Sequence, residues 1–373
     1  MILILPAQAL ADAKGPLSYD RAVSLLKLNN TTLKKLQRAE EDADKAYKSN
    51  LLDAGNIDVN GFTMSYGGKD YYINYDATTR LAMTKMKELM PEQMKFSWEA
   101  AKSQRLITEN SLETALRNVF LGVYSARNDL ELKQKQLSLA SEQNKQNALK
   151  LEKGLITPLD MEESEYELFK AQKAVDIANR TFNNAVRSFN QFANQPSKTE
   201  YTQIVYEEVL SRPELKPVDF FVEAALKNRF DIISIQKQLA LKEQDKTLTD
   251  TGFTHKIDTN DQQSYERLLN DIEQLNVDLE AKELEIDKEI RNAYVEVVIA
   301  GKKLDNMYNT VKLQRNNYEK MQARYKAGLI SKNVLAQTEL GLLQVENGYK
   351  TMLFDYNTKI TRFNNATGIG PGY

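Results

Sequence analysis

The chain predicts a mainly α fold: duplicated long antiparallel helical hairpins, with a small β-hairpin element in the first repeat. Three observations carry that expectation. The heptapeptide Gly154-Leu155-Ile156-Thr157-Pro158-Leu159-Asp160 returns as Gly328-Leu329-Ile330-Ser331-Lys332-Asn333-Val334, each copy between two long charged, apolar-periodic stretches. None of the prolines lies between Val218 and Gly370, and only Pro91 and Pro158 lie between Leu17 and Gln195, so long uninterrupted helices are allowed. Leu304, Val311, Tyr318 and Tyr325 recur at the seven-residue period of left-handed coiled-coil packing, with Leu130, Leu137, Asn144 and Leu151 in the same phase.

The twin turns anchor an alignment of the chain with itself. At their offset of 174 (328 − 154), Arg117-Asn118-Val119-Phe120-Leu121 falls on Arg291-Asn292-Ala293-Tyr294-Val295, and Phe189-Asn190 on Phe363-Asn364. Matches so far from the turn indicate one unit used twice. Nearer the N-terminus Val23, Asn29, Leu33 and Leu36-Gln37 match Val222, Asn228, Ile232 and Ile235-Gln236 at an offset of 199 (222 − 23). The first copy therefore carries 25 extra residues (199 − 174), placed between about Asn50 and Trp98.

The elements follow in order. Residues 1–13 read as a signal-peptide remnant: Ile2-Leu3-Ile4-Leu5-Pro6 before Ala7-Gln8-Ala9 has the form of an apolar region ending at a small-residue cleavage site, a short apolar strand being the alternative. Repeat 1, residues 14–194, opens with a helix from Tyr19 to about Asn50. A β-hairpin over about 56–75 follows, Ile57 to Tyr66 and Lys69 to Tyr75 around Gly67-Gly68, with Phe62, Met64 and Tyr66 alternating against polar neighbours. A long helix, Glu92 to Lys153, then reverses at the tip 154–157. Gly154 supplies the left-handed residue past the helix end, Thr157 caps the next helix, and Pro158 and Asp160 occupy its first turn. Pro158 to Asn194 runs back, and 195–217, with three prolines, connects to the second copy.

Repeat 2, residues 218–373, has a helix from Val218 to about Thr249, a short excursion over about 250–261, a long helix from Gln262 to Ala327, the tip 328–331 and a return from Lys332 to Ala366. At 1.5 Å per residue the long helices reach roughly 90 to 100 Å each, which implies a rod. Leu112, Ala115, Leu116, Val119, Phe120 and Val123 form a stripe wide enough to be buried against two neighbours, so several chains closing into one bundle are expected.

Composition excludes several function classes. With 50 basic and 52 acidic residues among 373, and a mean hydropathy of −0.54, the chain fits a soluble protein and has no nucleic-acid footprint. Cysteine is absent, which removes disulfides and thiolate metal sites. The single histidine, His255, stands in a polar segment with Asp250 and Asp258 and assembles neither a metal site nor a base-activated nucleophile. No phosphate-cradling glycine loop is present, no cofactor is called for, and no enzymatic activity is expected. No stretch has the eighteen or so unbroken apolar residues of a membrane helix.

Taken together, the chain resembles the TolC-type outer-membrane efflux protein family. The resemblance rests on Leu17-Ser18-Tyr19-Asp20-Arg21-Ala22-Val23 running to Asn29-Asn30, on Ala224-Ala225-Leu226-Lys227-Asn228-Arg229, and on the closing segment from Tyr325-Lys326-Ala327-Gly328-Leu329-Ile330-Ser331 through Leu353-Phe354-Asp355-Tyr356-Asn357 to Ala366-Thr367-Gly368. It implies an α-barrel protomer, a homotrimer, and a cell-envelope exit duct that meets a periplasmic adaptor of an export pump. Adaptor docking would fall on Gly154, Leu155, Ile156, Thr157, Gly328, Leu329, Ile330 and Ser331, with Asp160 and Glu339 as possible pore-mouth carboxylates. The family gives each barrel two strand hairpins per chain. Here the second is reduced to Gly252-Phe253-Thr254-His255-Lys256-Ile257, shorter than the 9–11 residues of a spanning strand, so a transmembrane β-barrel is doubtful. For Tyr71, Tyr72 and Tyr75 the expectation is a sheet face packed on helix ends, contact with lipid or polysaccharide being the alternative. A non-conducting coiled-coil structural or docking protein of the envelope is the alternative reading.

Overall fold

The computed structural model describes residues 15–206, 210, 212, 215–252, 254–256 and 259–368; the expected signal-peptide remnant lies outside them. Each copy is a broken helix followed by a long hairpin. The first comprises α1 (Tyr19–Asn29), α2 (Thr31–Gly55), β1 (Gly61–Tyr66), β2 (Lys69–Asn74), α3 (Ala77–Glu88), α4 (Met90–Glu152) and α5 (Pro158–Phe192). The second comprises α6 (Val218–Asn228), α7 (Phe230–Gly252), a 3₁₀ turn at Thr254–Lys256, α8 (Thr259–Lys326) and α9 (Lys332–Ala366). The mainly α architecture with one small β-hairpin is the one expected.

Several details differ from expectation. The opening helix of each copy is broken at equivalent points: Asn30 and Arg229 leave helical geometry at ψ 119° and 133° while their N–H groups still donate to Leu26 and Ala225. The surplus of the first copy is the hairpin together with α3, a helix not anticipated; the second copy has, among its described residues between α7 and α8, the 3₁₀ turn Thr254–Lys256 alone. The strands are shorter than expected, and the face carrying Tyr71 is exposed instead of packed on helix ends, because β1 and β2 form a two-stranded sheet with solvent on both sides. Gly67 and Gly68, at φ 60° and 77°, make the turn that two positive φ values define.

The described residues fold as two compact units, and each draws on both copies: those within 1–30, 112–213 and 295–361 form one, and those within 31–111, 214–294 and 362–373 the other. In the first unit Leu17, Leu26, Leu116, Phe120, Val123, Phe189 and Phe354 are fully buried. Tyr19 meets Phe120 edge-on at 5.7 Å, and the Arg117 guanidinium lies 4.6 Å from the Tyr19 ring centre. The connector is pinned there by a parallel bridge, Leu17 N donating to Gln203 O (2.7 Å) and Val205 N to Leu17 O (2.9 Å). Asn190 is buried and satisfied, donating to Thr199 O (2.8 Å) and accepting from the Tyr201 hydroxyl (2.7 Å).

In the second unit Phe221, Tyr294 and Phe363 pack as a ring cluster with centroids 4.8–6.2 Å apart. Arg229 is buried beside it and forks onto Asp231, with further bonds to Glu289 (2.7 Å) and Ala366 O (3.3 Å). Its planar donors hold the α6–α7 break against the middle of α8 and the end of α9.

Candidate functional site

The two tips have the same hydrogen-bond plan. Gly154 (φ 67°) and Gly328 (φ 72°) take the left-handed conformation that glycine adopts without penalty. Leu155 N donates to Lys150 O (2.8 Å) and Gly154 N to Leu151 O (2.9 Å); Leu329 N donates to Arg324 O and Gly328 N to Tyr325 O, each 2.9 Å. This paired closure satisfies the last carbonyls of α4 and α8.

The helices that leave the tips are capped differently. Thr157 and Asp160 form a reciprocal capping box: Thr157 N donates to Asp160 Oδ2 at 2.7 Å and Asp160 N to Thr157 Oγ1 at 3.2 Å. The backbone N–H of Thr157, and then its hydroxyl, hold the Asp160 carboxyl below the usual carboxylate range. Ser331 accepts a single longer bond from Val334 N (3.4 Å). Glu339, the other expected pore-mouth carboxylate, pairs with Lys135 at 3.2 Å.

With the local bonds accounted for, the apolar residues of the turns stand out. Leu155 is 69% and Leu329 72% exposed, while Ile156 and Ile330 are half-buried. The backbone closure needs glycine at one position and leaves each leucine with no core to enter. Charge differs between the tips. Basic residues precede both, Lys150 and Lys153 at the first and Arg324 and Lys326 at the second, but Asp160, Glu162, Glu163, Glu165 and Glu167 follow the first, whereas Lys332 follows the second.

Within the first unit α9 runs antiparallel along α4. Lys332 meets Glu142 (3.0 Å), Asn333 Nδ2 donates to Gln146 (3.1 Å), and Glu339 meets Lys135. Ser164 of α5 donates to Asn144 of α4 (3.0 Å). These contacts place Gly328 level with α4 residues 146–151, so the first tip projects beyond the second by about 5–12 Å at 1.5 Å per residue.

The same register exposes an asymmetry between the copies. On α4, residues 135, 139, 142 and 146 are half-covered; their counterparts at 309, 313, 316 and 320 on α8 are exposed, Leu313 at 70%. On α9, residues 333, 340 and 343 are half-covered; their counterparts Leu159, Tyr166 and Phe169 on α5 are all exposed, as is Ile177 further along. The stripe lies opposite the α5 residues 161, 164, 168 and 171 that are half-covered. The sequence reading missed it because it followed the buried seam, where Leu304 and Val311 are indeed buried. The signal was available: Leu159 and Tyr166 are seven residues apart among charged neighbours.

Among the described residues no group of three or more histidines and carboxylates could hold a metal ion, and no helix is long and apolar enough to cross a membrane. His255 sits on the 3₁₀ turn Thr254–Lys256.

Solved outer-membrane channels share this architecture over nearly the whole chain. The CmeC outer membrane channel of Campylobacter jejuni matches at 14% identity with a TM-score of 0.60, over 94% of this chain and 86% of that one. CusC matches at 13% and 0.62, over 94% and 92%, and VceC of Vibrio cholerae at 11% and 0.59, over 94% and 96%. At these identities the likeness is one of fold, and at that level the TolC-type resemblance holds. No family model matches the sequence, and no curated protein does.

Proposed function

We propose that the chain is an exported cell-envelope protein that closes with two further copies into an α-helical duct of an efflux or export system. One observation carries this reading: the α4–α9 contact made within the chain has an unmade twin, the bare faces of α8 and α5. By quasi-equivalence, α5 of one copy covers α8 of the next. The intrachain register then sets Glu162 and Glu163 opposite Lys312 and Arg315, and Tyr166 opposite Leu313. Acidic meets basic, Arg315 being already paired with Glu346 in its own chain, and the exposed stripe is covered. Because the two faces differ, the contact is head-to-tail and closes only as a ring.

Light scattering on the chromatographed full chain tests this. Wild type is expected as a trimer, and Tyr166→Glu and Leu313→Glu each as monomers. An equimolar mixture of the two variants should stop at dimers, since one intact junction remains. Monomeric wild type, or unchanged assembly of both variants, would overturn the proposal.

Solved structures with this fold include outer-membrane channels, which supports passage of substrates through the lumen. Docking on a periplasmic adaptor is assigned to the tips, Gly154 to Thr157 and Gly328 to Ser331, where Leu155 and Leu329 offer apolar contacts that the chain itself leaves unused. The pore-mouth role expected of Asp160 and Glu339 belongs to the same proposal, with both carboxylates anchored by their partners. Joint replacement Leu155→Asp and Leu329→Asp should abolish adaptor capture with an unchanged helical circular dichroism spectrum; retained capture would remove docking from these turns. The six-residue strands favour a second reading, a docking scaffold that conducts nothing, for which planar-bilayer recordings would show no channel.

A further inference from the structure

The β1–β2 hairpin is amphipathic in a way the duct reading does not use. Register pairs Phe62 with Ile73, Met64 with Tyr71 and Tyr66 with Lys69, so these six share one face. All are exposed, Phe62, Met64 and Tyr71 at 44–49%. The other face pairs Thr63 with Tyr72 and Ser65 with Asp70, and its polar groups are bonded: Tyr72 donates to Asp58 Oδ2 (2.8 Å) and Ser65 to Asp70. One side is thus satisfied in water and the other is an exposed apolar sheet of five large side chains, Phe62 among them stacking on Tyr75 at 5.8 Å, with a lysine at its end. A two-stranded hairpin is marginal in water until such a face is covered.

The occupant follows from the chemistry and the dimensions. A second copy would pair through the strand edges, whose N–H and C=O groups are free for a ladder, and would leave the same face open. Each strand spans about 20 Å, short of the ~30 Å hydrocarbon layer that a strand of about 9–11 residues crosses. Tyrosine rings with an apolar body and a polar rim, bordered by lysine, suit the boundary between headgroups and acyl chains. Between Ile57 and Asp76 the only charged residues are Asp58, Lys69, Asp70 and Asp76, so attraction to anionic lipid is not the driving force.

We propose that the hairpin lays the Phe62–Met64–Tyr71–Ile73 face on the surface of a lipid bilayer, at headgroup depth, without crossing it. The site is independent of the assembly proposed above, since one hairpin suffices.

Flotation of the full chain with phosphatidylcholine vesicles tests this. Wild type should float, raised salt should not release it, and the triple variant Phe62→Ser, Met64→Ser, Tyr71→Ser should lose at least about tenfold in bound fraction, as removal of that much apolar contact implies. Absence of flotation, or an unchanged triple variant, would overturn the proposal. Should the triple variant unfold the hairpin, depth measurement decides. In a Trp98→Phe background, bromines placed near the headgroup end of the acyl chains should quench the tryptophan of Tyr71→Trp and spare that of Thr63→Trp. Strongest quenching from bromines at the chain ends would mean a hairpin carried to the bilayer centre, and equal quenching of both variants would mean no oriented face; either overturns the proposal.

Discussion

Adding one methyl group at two kinds of glycine should shift stability in opposite directions. At Gly154 a Cβ would meet nothing within 4 Å, so Gly154→Ala introduces no clash. Its φ of 67° is the left-handed region, however, where an L side chain costs about 1–2 kcal/mol. Gly122 is also free of neighbours within 4 Å, but it stands in the exposed interior of α4. There Gly122→Ala should gain about 0.5–1 kcal/mol, because alanine loses less backbone freedom on becoming helical. Amide hydrogen exchange resolves the two. In Gly154→Ala the Leu155 amide, which closes the turn onto Lys150 O, should exchange about five- to thirtyfold faster. Gly328→Ala should do the same at Leu329. Amides around residue 122 should slow in Gly122→Ala. Increased protection of Leu155 in Gly154→Ala would refute the left-handed turn, and loss of protection in Gly122→Ala would refute the continuous α4.

Three further outcomes are expected. Thr157→Ala should cost the α5 start about 1 kcal/mol, and in wild type the box should weaken only in acid: the folded Asp160 carboxyl titrates below its ordinary 3.8, so its contribution is present above that value and is lost as pH falls through the folded one, readable as faster exchange at Asp160 N. Tyr201, pushed up to about 12 by burial, should ionise after the exposed tyrosines in an ultraviolet titration; its contribution is complete below pH 10 and lost as pH rises through about 12, and Tyr201→Phe should remove that late step. Arg229→Met should lower the melting midpoint by a loss of about 2–3 kcal/mol, and Arg229→Lys should recover only part, since an ammonium cannot fork onto Asp231; full rescue by lysine would show that charge alone matters.

Local chemistry written in single residues was legible without coordinates. Gly154, Thr157, Pro158 and Asp160 state a reversal in the order in which the backbone needs them, and the offset of 174 carries that statement to Gly328 and Ser331 because equivalent residues solve the same steric problem. The pattern even reaches Asn194 and Gly368, both left-handed at φ 52° and 66° and again 174 apart. The helix α3 was not legible, because none of its apolar residues is buried; it is held by α7, with Leu81 3.5 Å from where a Gly252 side chain would begin. The break at Asn30 was equally silent, since no proline or glycine marks it.

The sequence by itself determined the duplicated helical hairpins, their lengths and the position of each turn, since periodicity, capping and glycine's freedom at positive φ act within a few residues. Only the tertiary structure decided that the compact units cut across the two copies, that α9 covers α4 while the matching faces of α5 and α8 stay bare, and that the hairpin exposes its apolar side. Burial depends on which helix arrives from a distant part of the chain, and identical heptads are silent about whether a partner is present.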